Sequence, residues 1–259
     1  MSLYFKYSVI CFRFSLTFLF FSFLNFKNFS QDTTLVFDRP GISDSPYLAK
    51  DGCFLLESGF NVKNKTTLKQ TLKPSLLLRM SLFKNGEIRL SYNTLPQSII
   101  LNQLSEDITS EIFSLGCKYK LLKEDSWIPE AALMVNFSGF NLENYKNDFC
   151  AETYLLLHHN ITDKFGFNSN IGFIKLISPD TDLAFFSACV NYNLHHKFGF
   201  FVESFNYYFF QRSFTETAFD LGLIFMIHDK CQLDFSYILN RDQLMLFKPC
   251  YNVGLSIQF

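Results

Sequence analysis

Five histidines, His158, His159, His195, His196 and His228, are the side chains in this chain best suited to general-base or metal chemistry. No two are spaced to share one helix face. No GxSxG nucleophile turn, phosphate loop or dinucleotide fingerprint accompanies them. All five fall where an apolar-patterned segment ends in a polar turn, so they read as turn residues, with a hydrolytic base as the alternative. Of seven cysteines, Cys11 sits in the N-terminal apolar stretch. Cys53, Cys117, Cys150, Cys189, Cys231 and Cys250 are far apart and form no CxxC pair. They read as small hydrophobes, with disulfides permitted but not assignable. Neither set calls for a metal or a cofactor.

The second constellation is electrostatic. Glu57, Arg79, Glu87, Arg89, Lys118, Lys120, Glu130, Glu152, Glu203, Asp220 and Asp234 each occupy the polar parity of a segment whose other parity is apolar. Seven acids and four bases on one side of a sheet have two readings. They cross-link an enclosed interior as acid–base pairs, or they line a polar pathway and bias what passes. The residue pattern leaves both open.

The elements that carry these charges are strands. From residue 51 onward apolar residues recur at every second position, as in "GEIRLSYN", "FSLGCKYKL", "AFDLGLIF" and "YNVGLSIQF". About a dozen strands are predicted, near 51–62, 74–83, 87–95, 112–122, 128–138, 148–159, 164–176, 182–194, 197–210, 215–227, 231–239 and 250–259. Most reach the roughly 9–11 residues that cross a bilayer at a tilt. Connections after even-numbered strands are short ("KNG", "NITD", "HHK", "HDK"). Those after odd-numbered strands are longer, including "GFNLENYKND" after the fifth, and "ISPDT" after the seventh breaks the alternation. A soluble β-sandwich would also alternate, but with shorter strands. The rhythm instead predicts a single all-β, antiparallel transmembrane barrel of about 12 strands over 51–259, with its last strand closing on its first. "NITDKFGF" and "NLHHKFGF" repeat as turn chemistry.

The composition agrees. There are 34 Phe, 12 Tyr and one Trp, yet mean hydropathy is only +0.10, so aromatics are dispersed among polar residues rather than gathered in helical spans. The formal net charge of −1 argues against nucleic acid as a partner. Residues 1–30, with Lys6 and Arg13 before the apolar run Phe14–Phe26, have the layout of a secretory signal with a cut site before Gln31, an uncleaved membrane anchor being the alternative. Residues 31–50 then form an extended leader. The expected location is the outer membrane, in contact with its lipid. The terminal Phe259 has the character of the aromatic by which barrel-assembly machinery recognises a closing strand.

The stretch "DRPGISDSPYLAKDGCFLLESGF" (38–60) resembles the opening of a bacterial outer-membrane transporter family named after the meta-cleavage pathway of phenol degradation. The matching residues are Arg39, Pro40, Asp44, Ser45, Pro46, Gly52, Glu57 and Gly59. Asp44 stands where Glu is more usual. The resemblance implies passive transport of a small, hydrophobic or aromatic molecule, and it carries no catalytic residue. Two prolines keep the leader extended. Arg39 and Asp44 could tie it to the lumen wall or mouth as a tether or partial plug, or the segment is an exposed linker. A structural or surface-interaction barrel with an occluded lumen and, more distantly, a membrane-embedded hydrolase are the alternative functions.

Overall fold

The computed structural model describes residues 37–39, 41–63, 71–96, 109–142, 145–176, 181–211, 213–240 and 250–259. The expected export signal, residues 31–36 of the leader, and Pro40 lie outside the described residues. Twelve strands follow in order: β1 Phe54–Lys63, β2 Thr71–Phe83, β3 Gly86–Pro96, β4 Thr109–Leu122, β5 Glu130–Leu142, β6 Tyr145–Asn160, β7 Phe165–Leu176, β8 Thr181–His195, β9 Phe198–Phe209, β10 Phe214–His228, β11 Cys231–Asn240 and β12 Cys250–Gln258. Each is antiparallel to its sequence neighbour. The sheet closes where β1 meets β12, from Leu55↔Gln258 through Lys63↔Cys250. Phe259 continues that closure by donating its N–H to the Phe54 carbonyl at 2.9 Å.

The even-numbered connections form one end of the barrel, the turn end. The odd-numbered ones form the other, the loop end. At the turn end Thr162 Oγ1 accepts the Phe165 N–H at 3.1 Å, which accounts for the repeated turn chemistry. The long connection expected after the fifth strand is not there. β5 and β6 run on through "FNL" and "YKND", leaving only residues 143 and 144 between them. That stretch is rich in Asn and Asp, which favour turns in isolation, but ladder pairing to the neighbouring strand outweighs the local preference.

The barrel inverts the burial pattern of a soluble protein. Along β12 the inward residues Cys250, Asn252, Gly254, Ser256 and Gln258 are buried, while Tyr251, Val253 and Leu255 are exposed. The same holds round the barrel: Leu76, Leu90, Leu115, Ile171, Val202, Leu221, Leu233 and many others face outward, and Glu57, Arg79, Lys118, Glu203 and Asp220 face inward. A continuous apolar exterior is stable only against an apolar solvent, which makes this a membrane-spanning surface. Phenylalanines and tyrosines collect at its two rims. Phe198–Phe225 (4.7 Å) and Tyr192–Phe200 (5.2 Å) pair near the turn end, and Tyr237–Tyr251 (4.6 Å) and Tyr92–Phe113 (5.0 Å) near the loop end. These are the aromatic girdles of a bilayer interface.

Leu221 lies mid-strand on the outer face of β10. Leu221→Arg is expected to lower the folding free energy in phospholipid vesicles by roughly 2–4 kcal/mol, read from denaturant titration.

Candidate functional site

The barrel interior is built around the leader. Residues 37–39 and 41–50 carry no ladder pairing, yet much of this segment is buried inside the sheet. A buried backbone must find partners for its N–H and C=O groups, and here the wall supplies them. The N–H groups of Asp38 and Arg39 donate to the Glu57 carboxylate at 3.2 and 2.8 Å. Those of Ile42 and Ser43 donate to Glu203 at 2.8 and 2.7 Å, and that of Ala49 donates to Glu87 at 2.7 Å. The carbonyls are met by cations and an amide. Lys118 reaches Ser45 O (2.8 Å), Arg79 reaches Tyr47 O (2.8 Å) and Gln232 reaches Arg39 O (3.1 Å).

Side chains lock the same path. Asp38 sits among three cations: Arg79 Nη1 at 3.3 Å, Lys118 Nζ at 2.9 Å and the Arg89 guanidinium. Burial alone would push the Asp38 carboxyl up, but these three charges hold it well below the usual carboxylate range. Arg79 also bonds Glu57 (3.1 Å) and Glu87 (2.9 Å), and Arg89 bonds Asp44 (2.8 Å). Ser45 caps Asp38 through both its N–H and its hydroxyl. Tyr47 packs against His158 in a tilted ring contact, centroids 5.1 Å apart.

Arg39 fits by subtraction. Gly59 and Gly254 are cross-strand partners on β1 and β12. A Cβ at either would lie 2.4 or 2.3 Å from the Arg39 guanidinium. The two bare backbones therefore form a slot in which Arg39 lies, reaching Asp234 at 3.2 Å and Ser75 at 3.1 Å. Mid-strand glycine marks such close approaches.

Beyond the leader, toward the loop end, the interior changes character. Ile112, Cys150, Ile174, Leu183, Phe185, Phe205, Ala218, Ile238 and Cys250 form an inward-facing, buried apolar collar, against which Tyr154, Tyr207 and the leader's Ile42 pack.

The structure places all eleven sequence-selected charges on the inner wall, but not in one role. Glu57, Arg79, Glu87, Arg89 and Lys118 form the network around Asp38. Lys120 pairs with Glu130, Glu203 binds the leader, and Asp234 binds Arg39. Glu152 accepts from Asn136 at 3.3 Å and Asp220 from Ser236 at 3.2 Å. Of the leader motif, Arg39, Asp44 and Ser45 make the bonds above and Pro46 is buried. The sequence reading overlooked Asp38, Ser43, the inward Glu216 and the collar. Asp38 stands next to Arg39 and Glu216 shares the parity of Asp220, so both were visible in principle. The histidines do not converge: His158 faces inward, His159 pairs with Glu124 at 3.0 Å, and the His195 and His196 rings meet in a tilted contact at the turn end. The six cysteines among the described residues are free thiols.

No protein-family model matches the chain, and no curated protein matches it either. Solved structures do. The KdgM porin aligns over 79% of this chain and 99% of its own, with TM-score 0.56 at 10% identity. The NanC porin aligns over 79% and 98%, with TM-score 0.55 at 11% identity. An outer membrane channel from Pseudomonas putida F1 aligns over 85% and 99%, with TM-score 0.55 at 10% identity. The chain has their barrel fold.

Removing Arg79 takes from Glu57 the cation bonded to it and leaves Asp38 and Glu87 with Arg89 and Lys118 alone. Arg79→Met is expected to cost roughly 3–5 kcal/mol in vesicle-refolding titrations and to make the leader sensitive to protease. The Asp38 carboxyl, depressed in the folded state, contributes its full stabilisation above the ordinary Asp pKa. That contribution is lost as pH falls below it. Leader protection should therefore persist through mildly acidic buffer and fail only in strong acid, as measured by limited proteolysis across pH.

Proposed function

We propose that this chain is an outer-membrane channel for passive transport of a small molecule, with residues 37–50 acting as a plug seated in its lumen. The observation that carries this reading is the leader's mode of attachment. It sits inside the barrel with no strand pairing, held by side-chain bonds that can be exchanged for water when it moves. A segment meant only to fill the interior could have been a thirteenth strand or an apolar core. In this reading residues 1–30 direct export, the turn end faces the periplasm, and Phe259 is the aromatic met by the barrel-assembly machinery. The leader motif, from Arg39 through Gly59, supports placing the chain in the transporter family named after phenol meta-cleavage. Pro40 of that motif lies outside the described residues. The apolar collar favours a solute with an apolar body, because a ring of Ile, Leu and Phe resists wetting and disfavours bare ions. The wall charges Glu57, Arg79, Glu87, Arg89 and Lys118 act on selectivity through the position of the plug rather than by facing the solute.

A second reading, a structural barrel with a permanently filled lumen, draws support from the same buried ion network. Planar-bilayer recording separates the two. The intact protein is expected to conduct weakly. Deleting residues 37–50 should raise single-channel conductance several-fold, and Gly254→Val, which fills the Arg39 slot without changing a charge, should give an intermediate rise. Silence in all three proteins would remove the channel reading in favour of the filled barrel.

A further inference from the structure

Immediately on the turn side of the apolar collar runs a polar chain that the leader does not use. Asn252 Nδ2 on β12 donates to Ser236 Oγ on β11 at 2.9 Å, and Ser236 Oγ donates to Asp220 Oδ2 on β10 at 3.2 Å. All three side chains face inward and are buried. The chain has a direction: two donors in series hold the Asp220 carboxylate by one oxygen. Its other oxygen, Oδ1, has no hydrogen-bond partner among the described residues. A fully buried carboxylate oxygen left without a donor is costly, so it calls for an explanation.

No described cation is hydrogen-bonded to it. From Cys150 onward the described inward positions of β6–β12 carry Glu152, Glu203, Glu216, Asp220 and Asp234 and no Lys or Arg. The leader's Arg39 is bonded to Asp234. Glu203, the cross-strand partner of Asp220, is occupied by Ile42 and Ser43. Contrast the wall of β2–β4, where Arg79, Arg89 and Lys118 are each matched by carboxylates. Two inward aromatic residues flank Glu203, the cross-strand partner of Asp220, along β9. Phe205 pairs across from Ala218, and Phe201 pairs across from Gly222, where a Cβ would lie only 2.0 Å from its ring.

We propose that Asp220 is the head-group acceptor of a solute subsite for small organic amines, compounds that join an ammonium to an apolar body. The ammonium donates to Asp220 Oδ1 in a charge-assisted bond beside the Phe201 and Phe205 rings, and the apolar body lies in the collar. Ser236 and Asn252 orient the carboxylate and are positioning residues. The subsite opens as the Gly41–Ser43 stretch moves off Glu203. This deepens the channel reading, which supplies the route by which the amine arrives.

Benzylammonium, benzyl alcohol and benzoate, matched in size and differing in head-group charge, are the probes. Their binding to the full-length protein in detergent is measured by calorimetry. Benzylammonium should bind and benzoate should not, and Asp220→Asn should weaken benzylammonium by about tenfold or more. Equal binding of amine and benzoate, no binding of the amine, or Asp220→Asn binding as the parent does, each overturns the proposal. The melting temperature gives an independent reading. Replacing an unpartnered carboxylate with its neutral isostere should leave it unchanged or raise it; a lowered value, or failure to fold, marks Asp220 as structural and overturns the assignment. Bilayer current judges the channel separately: current without amine binding sinks only the subsite, and amine binding without current sinks only the channel.

Discussion

A chain segment without secondary structure cannot be enclosed in a barrel unless something else satisfies its backbone. That constraint organises the interior of this protein. Glu57, Glu87 and Glu203 accept leader N–H groups, and Arg79, Lys118 and Gln232 meet leader carbonyls. The wall charges are thus surrogate ladder partners as well as ion pairs. Because each carboxylate also faces a cation or a donor, the interior tolerates charges that would be prohibitive alone. Asp38 is the hub, since it answers three cations from β2, β3 and β4 at once.

The same arrangement divides the lumen by chemistry. On the β1–β5 side acids and bases are matched, most of them around the leader. On the β6–β12 side the described carboxylates outnumber the described cations, and the leader's Arg39 reaches across to Asp234. Above both lies the collar, where Phe185 packs against Tyr154 at 5.6 Å and Tyr207 at 4.9 Å. The lumen thus has a polar half filled by the leader and an apolar half in series. The outer surface is simpler, an apolar band between aromatic rims, which is where most of the described phenylalanines lie.

Strand positions were legible because membrane strands have two solvents, lipid outside and protein inside, and period-2 alternation records that difference. Twelve strands, their parity and the β1–β12 closure all follow from it. Legibility failed where the two faces stop differing. Around "DLAFFSACV" both parities are apolar, so Leu183 and Phe185 could not be recognised as inward, and the collar went unseen. It failed again at 139–142 and 145–148, where turn-prone residues are held extended by pairing with a neighbour rather than by their own preference.

The amino-acid order by itself determined the barrel: its strand count, its lipid-facing side and the residues that had to point inward. Each of these is a property of single strands, readable from local spacing. Only the tertiary structure decided what the inward residues do. The Arg39 slot needs Gly59 and Gly254, some 195 residues apart, to be cross-strand neighbours. The Asp38 hub needs three strands to present their cations to one point, and the free oxygen of Asp220 exists because no donor reaches it from any strand described. Partnership between charges is set by closure of the sheet, which no stretch of sequence contains.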